Sequence, residues 1–261
     1  MNLYNEFFEL FTDGLKGNNK GLSMGLPNID KLLNGIHRGR YYTLFAEGGV
    51  GKSVFVWSNI VISLIDGMIK HNHQIDKDEK LTSEEKAAKK ITIRVRLYSL
   101  EVVAREVIAK MICLKIYKDY GLIVSPDYIL NRIDKFRLSN SLQLLVQSYK
   151  TYFDKLESEG YLKIIDNPKR PSDIKREVMK YATDNGKFYN NADGEQKYKP
   201  NNPNEYHIII TDTVGNLIVE SIDGKTSTKG TIDAHSANCR DCYRDLLNYI
   251  PINISHSNRS M

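Results

Sequence analysis

The sequence contains only three cysteines and one tryptophan among 261 residues, and it has no long run of apolar residues. Three cysteines provide no even set for a disulfide framework, which favours a reducing compartment. No segment approaches the ~18–20 uninterrupted apolar residues that a membrane span requires. The N-terminal segment carries Glu6, Glu9 and Asp13, and therefore does not resemble a secretory signal. We expect a cytoplasmic protein with no membrane partner.

The composition is that of an ordinary folded protein. Hydrophobic residues make up 41% of the chain and charged residues 26%, which excludes wholesale disorder. The formal net charge is +5 and the pI is about 8.9. This weak basic excess suits a partner that carries phosphates, but a cytosolic enzyme of any kind can have the same balance.

Apolar periodicity and turn residues divide the chain into strands that alternate with helices. The predicted strands cover residues 41–46, 91–99, 161–165, 206–212 and 251–255. The predicted helices cover 4–15, a short helix ending near Gly35, 52–70, 102–119, two pieces within 125–158, a helix capped by Ser172 that runs to about 183, and 231–249. This order predicts an α/β fold with a mainly parallel sheet. Residues 71–90 and 185–205 are predicted to be solvent-exposed loops, with a helical piece in the charged run 77–90.

The strongest motif lies where the first predicted strand meets the following helix. It matches the phosphate-binding pattern G-x-x-x-x-G-K-[ST], except that alanine replaces the first glycine. The motif consists of Ala46, Glu47, Gly48, Gly49, Val50, Gly51, Lys52 and Ser53. Glycines let successive N–H groups point at phosphate oxygens, and the helix N-terminus adds positive charge. We predict that Lys52 reaches the β- and γ-phosphates of ATP and that Ser53 ligates Mg²⁺. The strand–loop–helix context disfavours a glycine-rich turn that merely starts a helix.

Two carboxylates follow apolar strands. Asp212 ends the strand 206–212 and is the candidate for holding the Mg²⁺ shell. Glu101 follows the strand 91–99, where a carboxylate can face the γ-phosphate and activate water. The alternatives are an acidic turn residue and a glutamate that stabilises a helix N-terminus. The prediction is that three adjacent parallel strands bring Lys52, Glu101 and Asp212 around one triphosphate.

Several segments, taken in order, resemble the DnaB-like replicative helicases of the RecA superfamily. These segments are 25–35 (GLPNIDKLLNG), 38–40 (RGR), the alanine-led phosphate loop, 98–101 (YSLE), 164–168 (IIDNP) and 254–259 (ISHSNR). The resemblance implies a RecA-like P-loop ATPase core over residues 21–261, incomplete at its C-terminus, after a linker helix in residues 1–20. It also implies that Glu101 is the catalytic glutamate and that His256 senses the γ-phosphate, as in phage-like members.

The same resemblance implies an activity, partners and a location. Members hydrolyse ATP with Mg²⁺, translocate on single-stranded DNA and unwind duplex DNA as hexameric rings that work with a primase or a loader. The cytoplasm would be that of a bacterium, or of the host for a phage-encoded protein. The chain stops at Met261, before the strands and arginine finger that follow in the family, so the resemblance implies a truncated product or fragment.

Candidate DNA contacts come from the segment after the Asp212 strand. In the family, loops at this place line the central channel, which makes Lys225 and Lys229 candidates, together with Arg259 near the end of the chain. The alternative is an exposed flexible loop. The segment 221–229 contains no aromatic residue, which argues against base stacking there.

A further cluster and two further functions need weighing. His235, Cys239 and Cys242 share one helix face, but a structural zinc needs four ligands, so buried packing is the better interpretation. A recombinase-like ATPase would show strand exchange without unwinding. A non-catalytic module that organises a replication complex would bind ATP tightly without DNA-stimulated turnover.

Overall fold

A five-stranded parallel sheet lies at the centre of the molecule, with the strand order β1-β9-β6-β2-β3. The computed structural model describes residues 3–16, 20–130, 132, 138–191, 193–222 and 224–256. The strands of the sheet are β1 (Tyr42–Ala46), β2 (Thr92–Ser99), β3 (Leu162–Ile165), β6 (Glu205–Asp212) and β9 (Ile250–His256). Two small hairpins pair β4 (Gly186–Asn190) with β5 (Gln196–Pro200) and β7 (Ser221–Ile222) with β8 (Lys225–Thr226). All five predicted strands are confirmed to within one residue at each end.

Helices cover both faces of the sheet. They are α1 (Leu3–Leu15), α2 (Pro27–Leu33), α3 (Lys52–Lys77), α4 (Ser83–Lys89), α5 (Ala104–Tyr120), α6 (Pro126–Ile129), α7 (Asn140–Ser148), α8 (Lys150–Ser158), α9 (Pro171–Asp184) and α10 (Thr228–Ala237, continued by Asn238–Leu246). Side chains of α3, α5 and α8 form one apolar core with the sheet. Side chains of α9 and α10 form a second core on the other face. This layering is the α/β arrangement that the strand–helix alternation predicts.

Alternating side chains of the central strands supply the two cores. Val95 and Leu97 of β2 are buried in the first core, whereas Tyr98 is buried in the second. Ile208 and Ile209 of β6 divide in the same way. Because both faces are covered, these strands are nearly continuous apolar runs in the sequence.

Helix α3 follows the phosphate-loop motif and contributes most to the first core. Its segment Val56–Ile62 is a π-helix. The carbonyl oxygen of Ser58 accepts hydrogen bonds from the Ser63 hydroxyl at 3.0 Å and from the Lys118 ammonium at 2.8 Å. Helix α3 is long and apolar enough to cross a membrane by length and composition alone, but half of its apolar window is buried inside the protein. Burial of that kind is what a core helix shows.

The loop predicted at residues 71–90 was wrong in its first part. Helix α3 continues to Lys77, because Ile75 is buried and extends the apolar face of the helix. Helix α4 then starts with a capping box, in which the Thr82 hydroxyl accepts the Glu85 N–H at 3.2 Å and the Glu85 carboxylate accepts the Thr82 N–H at 2.9 Å. The predicted helical piece in the charged run is therefore confirmed.

The loop predicted at residues 185–205 was also wrong. Most of this stretch is the antiparallel hairpin of β4 and β5. Phe188 and Tyr198 stand opposite each other and pack against the second core, with ring centroids 5.2 Å apart. The surrounding Asn, Gly and Lys residues concealed this short alternation in the sequence.

Some helix boundaries also differ from the prediction. Helix α9 begins at Pro171, and the Asp173 carboxylate accepts the Arg170 N–H at 3.2 Å, so Ser172 is not the cap. The Ser172 hydroxyl instead donates to the Glu220 carboxylate at 2.6 Å. The stretch predicted as two helical pieces contains three helices, α6, α7 and α8, and α10 starts at Thr228 rather than at 231.

Two histidines are fully buried against the sheet. The His207 ring stacks on Tyr249, with centroids 4.5 Å apart. The Nε2 atom of His235 lies 3.0 Å from the Thr211 hydroxyl. Burial lowers the pKa of each imidazole to about 4, because the charged form loses its hydration. Both rings are therefore neutral at neutral pH.

We expect the free energy of unfolding to fall as the pH drops from 6.5 towards 4. The unfolded chain takes up protons in this window, whereas the buried imidazoles do not, and each contributes at most about 1.4 kcal/mol per pH unit. Urea unfolding at several pH values measures this. The variant His207→Phe keeps a stacked ring and should flatten the pH dependence, whereas His73→Phe, at an exposed position, should not. An unchanged slope in His207→Phe would contradict the expectation.

Candidate nucleotide-binding site

The carboxyl ends of four parallel strands meet at one edge of the sheet. The register aligns Ala46 with His256 and Asp212 with Ser99. The prediction that the site draws on three adjacent strands was wrong, because β9 lies between β1 and β6. Strand β9 ends in His256, and therefore adds a side chain of its own to this edge. Open α/β sheets bind their ligands at such an edge.

The loop that leaves β1 is shaped by two left-handed residues. Gly49 has φ 77° and Gly51 has φ 88°, values that other residues rarely adopt. A Cβ atom built at either glycine would meet nothing within 4 Å, so the backbone angle, and not the space, requires glycine. Gly51 is the N-cap of α3, and its carbonyl oxygen accepts the Phe55 N–H at 2.8 Å. The free N–H groups of the first helical turn therefore face the loop, as in an anion-binding site.

The Lys52 side chain folds back into this loop and is only 7% exposed. Its ammonium donates to the carbonyl oxygens of Ala46 at 2.7 Å and Glu47 at 2.5 Å. It also lies 3.2 Å from Nδ1 of His256. A buried ammonium is thus held among neutral acceptors at the mouth of a helix N-terminus, where an anion would find both charges favourable.

Ser53 and Asp212 form a pair of oxygen ligands beside the lysine. The Ser53 hydroxyl donates to the Asp212 carboxylate at 3.0 Å, and Asp212 is 2% exposed. Burial raises the pKa of Asp212, and the nearby negative charge of Glu101 adds to this, while the Ser53 hydrogen bond opposes it. A divalent cation would relieve this burial of charge. Mg²⁺ favours one or two protein oxygens together with phosphates and water, so the donor set fits it.

His256 connects the lysine to Glu101. Its Nε2 atom lies 3.5 Å from the Glu101 carboxylate, while its Nδ1 atom faces the Lys52 ammonium. An ammonium can only donate, so Nδ1 must accept, which places the ring proton on Nε2 and towards the carboxylate. The structure therefore brings Lys52, Ser53, Glu101, Asp212 and His256 together at one edge.

The turn that carries Glu101 is tied to neighbouring elements. The Leu100 N–H donates to the Asp212 carbonyl oxygen at 2.6 Å, and the Ser99 hydroxyl donates to the Val102 carbonyl oxygen at 2.5 Å. The Asp166 carboxylate accepts the Ala104 N–H at 2.7 Å. No role was predicted for Asp166, although the IIDNP segment that contains it carries part of the family resemblance.

The predicted DNA contacts are not joined to this cluster. Lys229 lies on the first turn of α10 and is exposed. The Lys225 backbone belongs to β8, but its side chain lies outside what the structure describes. Arg259 lies outside the described residues as well.

The His–Cys cluster packs in the second core. Cys239 Sγ lies 3.6 Å from His235 Nε2, whereas Cys242 Sγ faces the Met179 sulfur at 3.3 Å. Within the described ranges no group of three His, Cys, Asp or Glu side chains suits a metal ion. This agrees with the packing interpretation.

Two solved structures are similar to the chain over nearly its whole length. One is a DnaB-like replicative helicase, described with its interactions with primase, which matches with a TM-score of 0.61 and 14% identity over 99% of this chain and 49% of its own. The other is the ATPase domain of a second helicase, with a TM-score of 0.60 and 16% identity over 98% of this chain and 71% of its own. No protein-family model and no curated protein matches the sequence.

The fold class is settled by these comparisons together with the topology. The chain is an α/β domain of the RecA-like type, with a mainly parallel sheet between helices, as the sequence predicts. It has the fold of the ATPase domain of DnaB-like replicative helicases. The chain spans about half the length of the first of these helicases, with a coverage of 49%.

Replacing Gly51 with alanine should destabilise the loop by about 1–2 kcal/mol, because φ 88° is strained for any residue with a Cβ atom. Nucleotide affinity should fall as well, since the loop backbone would shift. Gly67→Ala is the matched control, because Gly67 is exposed within helix α3 and alanine there should stabilise by about 0.5–1 kcal/mol. Thermal unfolding and nucleotide titration measure both. Equal effects of the two substitutions would contradict the strained-loop assignment.

Proposed function

We propose that this chain is an ATP-hydrolysing motor domain that acts on single-stranded DNA. One observation supports the proposal above the others: His256 contacts both Lys52 and Glu101, next to the Ser53–Asp212 pair. A lysine, a hydroxyl, an aspartate and a glutamate around one phosphate loop are the side chains that ATP hydrolysis needs. A loop that only began a helix would require none of the other four.

Nucleotide binding would use the loop backbone and the lysine. The N–H groups around Gly48, Gly49 and Gly51 would donate to phosphate oxygens. Lys52 would exchange the carbonyl oxygens of Ala46 and Glu47 for the β- and γ-phosphates, which are stronger acceptors because they are charged. Mg²⁺, when bound, neutralises charge on the phosphates, and Ser53 and Asp212 would hold it.

Hydrolysis would use Glu101 as the base. A water oxygen attacks the γ-phosphorus, its proton passes to the Glu101 carboxylate, and the bond to the bridging oxygen breaks to release ADP and phosphate. Base assistance of this kind contributes roughly 10²–10⁴ in rate. His256 lies between the carboxylate and the lysine, so it can hold Glu101 in place and respond to a γ-phosphate beside Lys52.

The fold likeness supports a helicase role for this motor. We propose that hydrolysis drives translocation along single-stranded DNA and unwinding of duplex DNA, with ATP bound between the subunits of a hexameric ring. The segment 221–229, with Lys225 and Lys229, would contact the strand, and Arg259 would add a further contact. A primase or a loader would be the protein partner, and the bacterial or phage-host cytoplasm the location.

The variant Glu101→Gln should bind ATP with nearly unchanged affinity while hydrolysis falls by about 10²–10⁴, because the amide cannot accept the proton. Phosphate release and nucleotide titration measure the two effects separately. Glu106→Gln is the control, since its carboxylate pairs with Arg132 at 2.7 Å outside the site. Unchanged turnover in Glu101→Gln would remove this residue from the catalytic role. Tight ATP binding with no turnover in the unaltered chain would indicate a non-catalytic module.

Lys52→Ala should weaken ATP binding itself, because it removes the ammonium that faces the phosphates. We expect a much smaller effect on AMP, which lacks the β- and γ-phosphates. Titration of both nucleotides measures this difference. Lys110→Ala is a suitable control, because its ammonium lies over the Trp57 ring, 5.3 Å from the centroid. Undiminished ATP affinity in Lys52→Ala would overturn the phosphate-loop assignment.

A further inference from the structure

The β4–β5 hairpin presents a basic outer face. Residues opposite each other along the two strands are Lys187 with Lys199 and Tyr189 with Lys197. Side chains alternate between the faces of a strand, so these four side chains share one face, which we call the lysine face. Lys187, Tyr189 and Lys199 are exposed, and the Tyr189 side chain shows 51% of its surface. The hairpin has no part in the proposed ATPase chemistry.

The charge arrangement on this face opposes folding of the hairpin. Lys187 and Lys199 stand directly opposite each other, and like charges in that position are destabilising. Among the residues that the structure describes, neither lysine has an ion-pair or hydrogen-bond partner. Lys197 differs, since it pairs with Glu195 at 3.0 Å. A bound anion between Lys187 and Lys199 would remove the repulsion.

The inner face holds the hairpin firmly in spite of this repulsion. Tyr198 packs edge-on against Tyr249, with centroids 6.0 Å apart, and its hydroxyl lies 3.4 Å from the Tyr249 hydroxyl. A Cβ atom on Gly186 would lie 2.4 Å from the Tyr198 ring, so only glycine permits this packing. The lysine face is thus carried on a rigid support, which keeps its two lysines and its tyrosine at fixed spacing.

The lysine face lies away from the candidate nucleotide site. The hairpin leads directly into the amino end of β6, which begins at Glu205, whereas Asp212 ends the same strand. An eight-residue strand is about 25 Å long. Contacts at this face therefore cannot belong to the phosphate loop, nor do they depend on ATP hydrolysis.

We propose that the lysine face binds single-stranded nucleic acid. Lys187 and Lys199 would contact backbone phosphates, and an exposed tyrosine between basic residues would stack on a base. The tyrosine favours a single strand over a duplex, because the bases of a duplex are already stacked on one another. It also distinguishes nucleic acid from an acidic protein segment, which offers charge but no series of flat rings.

The binding experiment uses the whole chain, without nucleotide, and a fluorescent oligothymidylate at several salt concentrations. Lys199→Glu should weaken binding. Lys187→Ala combined with Lys199→Ala should lower the slope of log affinity against log salt by about 0.7 for each phosphate that is no longer neutralised. Tyr189→Ala should weaken binding at least about fivefold, while Tyr189→Phe should restore it, because stacking needs only the ring.

Stability separates loss of binding from loss of folding. Lys199→Glu places opposite charges across the strand pair, so its thermal midpoint should match or exceed that of the unaltered chain. Lys31→Glu, an equal charge change at an exposed position on helix α2, should leave binding nearly unchanged. ATP titration of each variant should show unaltered affinity, which distinguishes failure of this proposal from failure of the nucleotide site.

Three outcomes would overturn the proposal. The first is equal oligonucleotide affinity in Lys199→Glu and in the unaltered chain. The second is equal loss of affinity in Lys31→Glu. The third is equally strong binding of polyglutamate with no effect of Tyr189→Ala, which would make the surface a general site for acidic polymers.

Discussion

The parallel register of four strands is the constraint on which the rest of this structure depends. Strands β1, β9, β6 and β2 run in the same direction, so their carboxyl ends are level. Each end contributes one functional side chain, or leads into one within a few residues: Lys52, His256, Asp212 and Glu101. A shift of one residue would turn the apolar side chains of a strand from one core to the other, and burial on both faces resists such a shift. Core packing therefore holds the candidate site in place.

Within that edge, His256 explains why the charges tolerate one another. A buried lysine and a half-exposed glutamate lie on opposite sides of one imidazole, at 3.2 and 3.5 Å. The neutral ring accepts from the ammonium and donates to the carboxylate, so neither charge lacks a partner. Strand β9 supplies this residue because it lies between the strand of the phosphate loop and the strand of Asp212. The sheet order thus has a direct chemical consequence.

The two ends of the sheet have different character. The carboxyl end gathers a lysine, two acids and a histidine around a glycine-rich loop, and so suits a small anionic ligand with a cation. The amino end carries the β4–β5 hairpin, whose anchoring rings face the core and whose lysines face outward. A motor that follows a long polymer benefits from contacts at more than one place, because one contact can hold while another moves.

Local signals in the sequence determined the strands, the phosphate loop and its lysine, because apolar runs and glycine spacing depend on neighbouring residues alone. They also placed Asp212 and Glu101 at strand ends, and therefore at one edge of a parallel sheet. Only the tertiary structure decided that β9 separates β1 from β6, since strand order depends on packing between distant segments. The hairpin at 186–200 escaped detection for the same reason: Phe188 and Tyr198 form strands because the second core receives their rings.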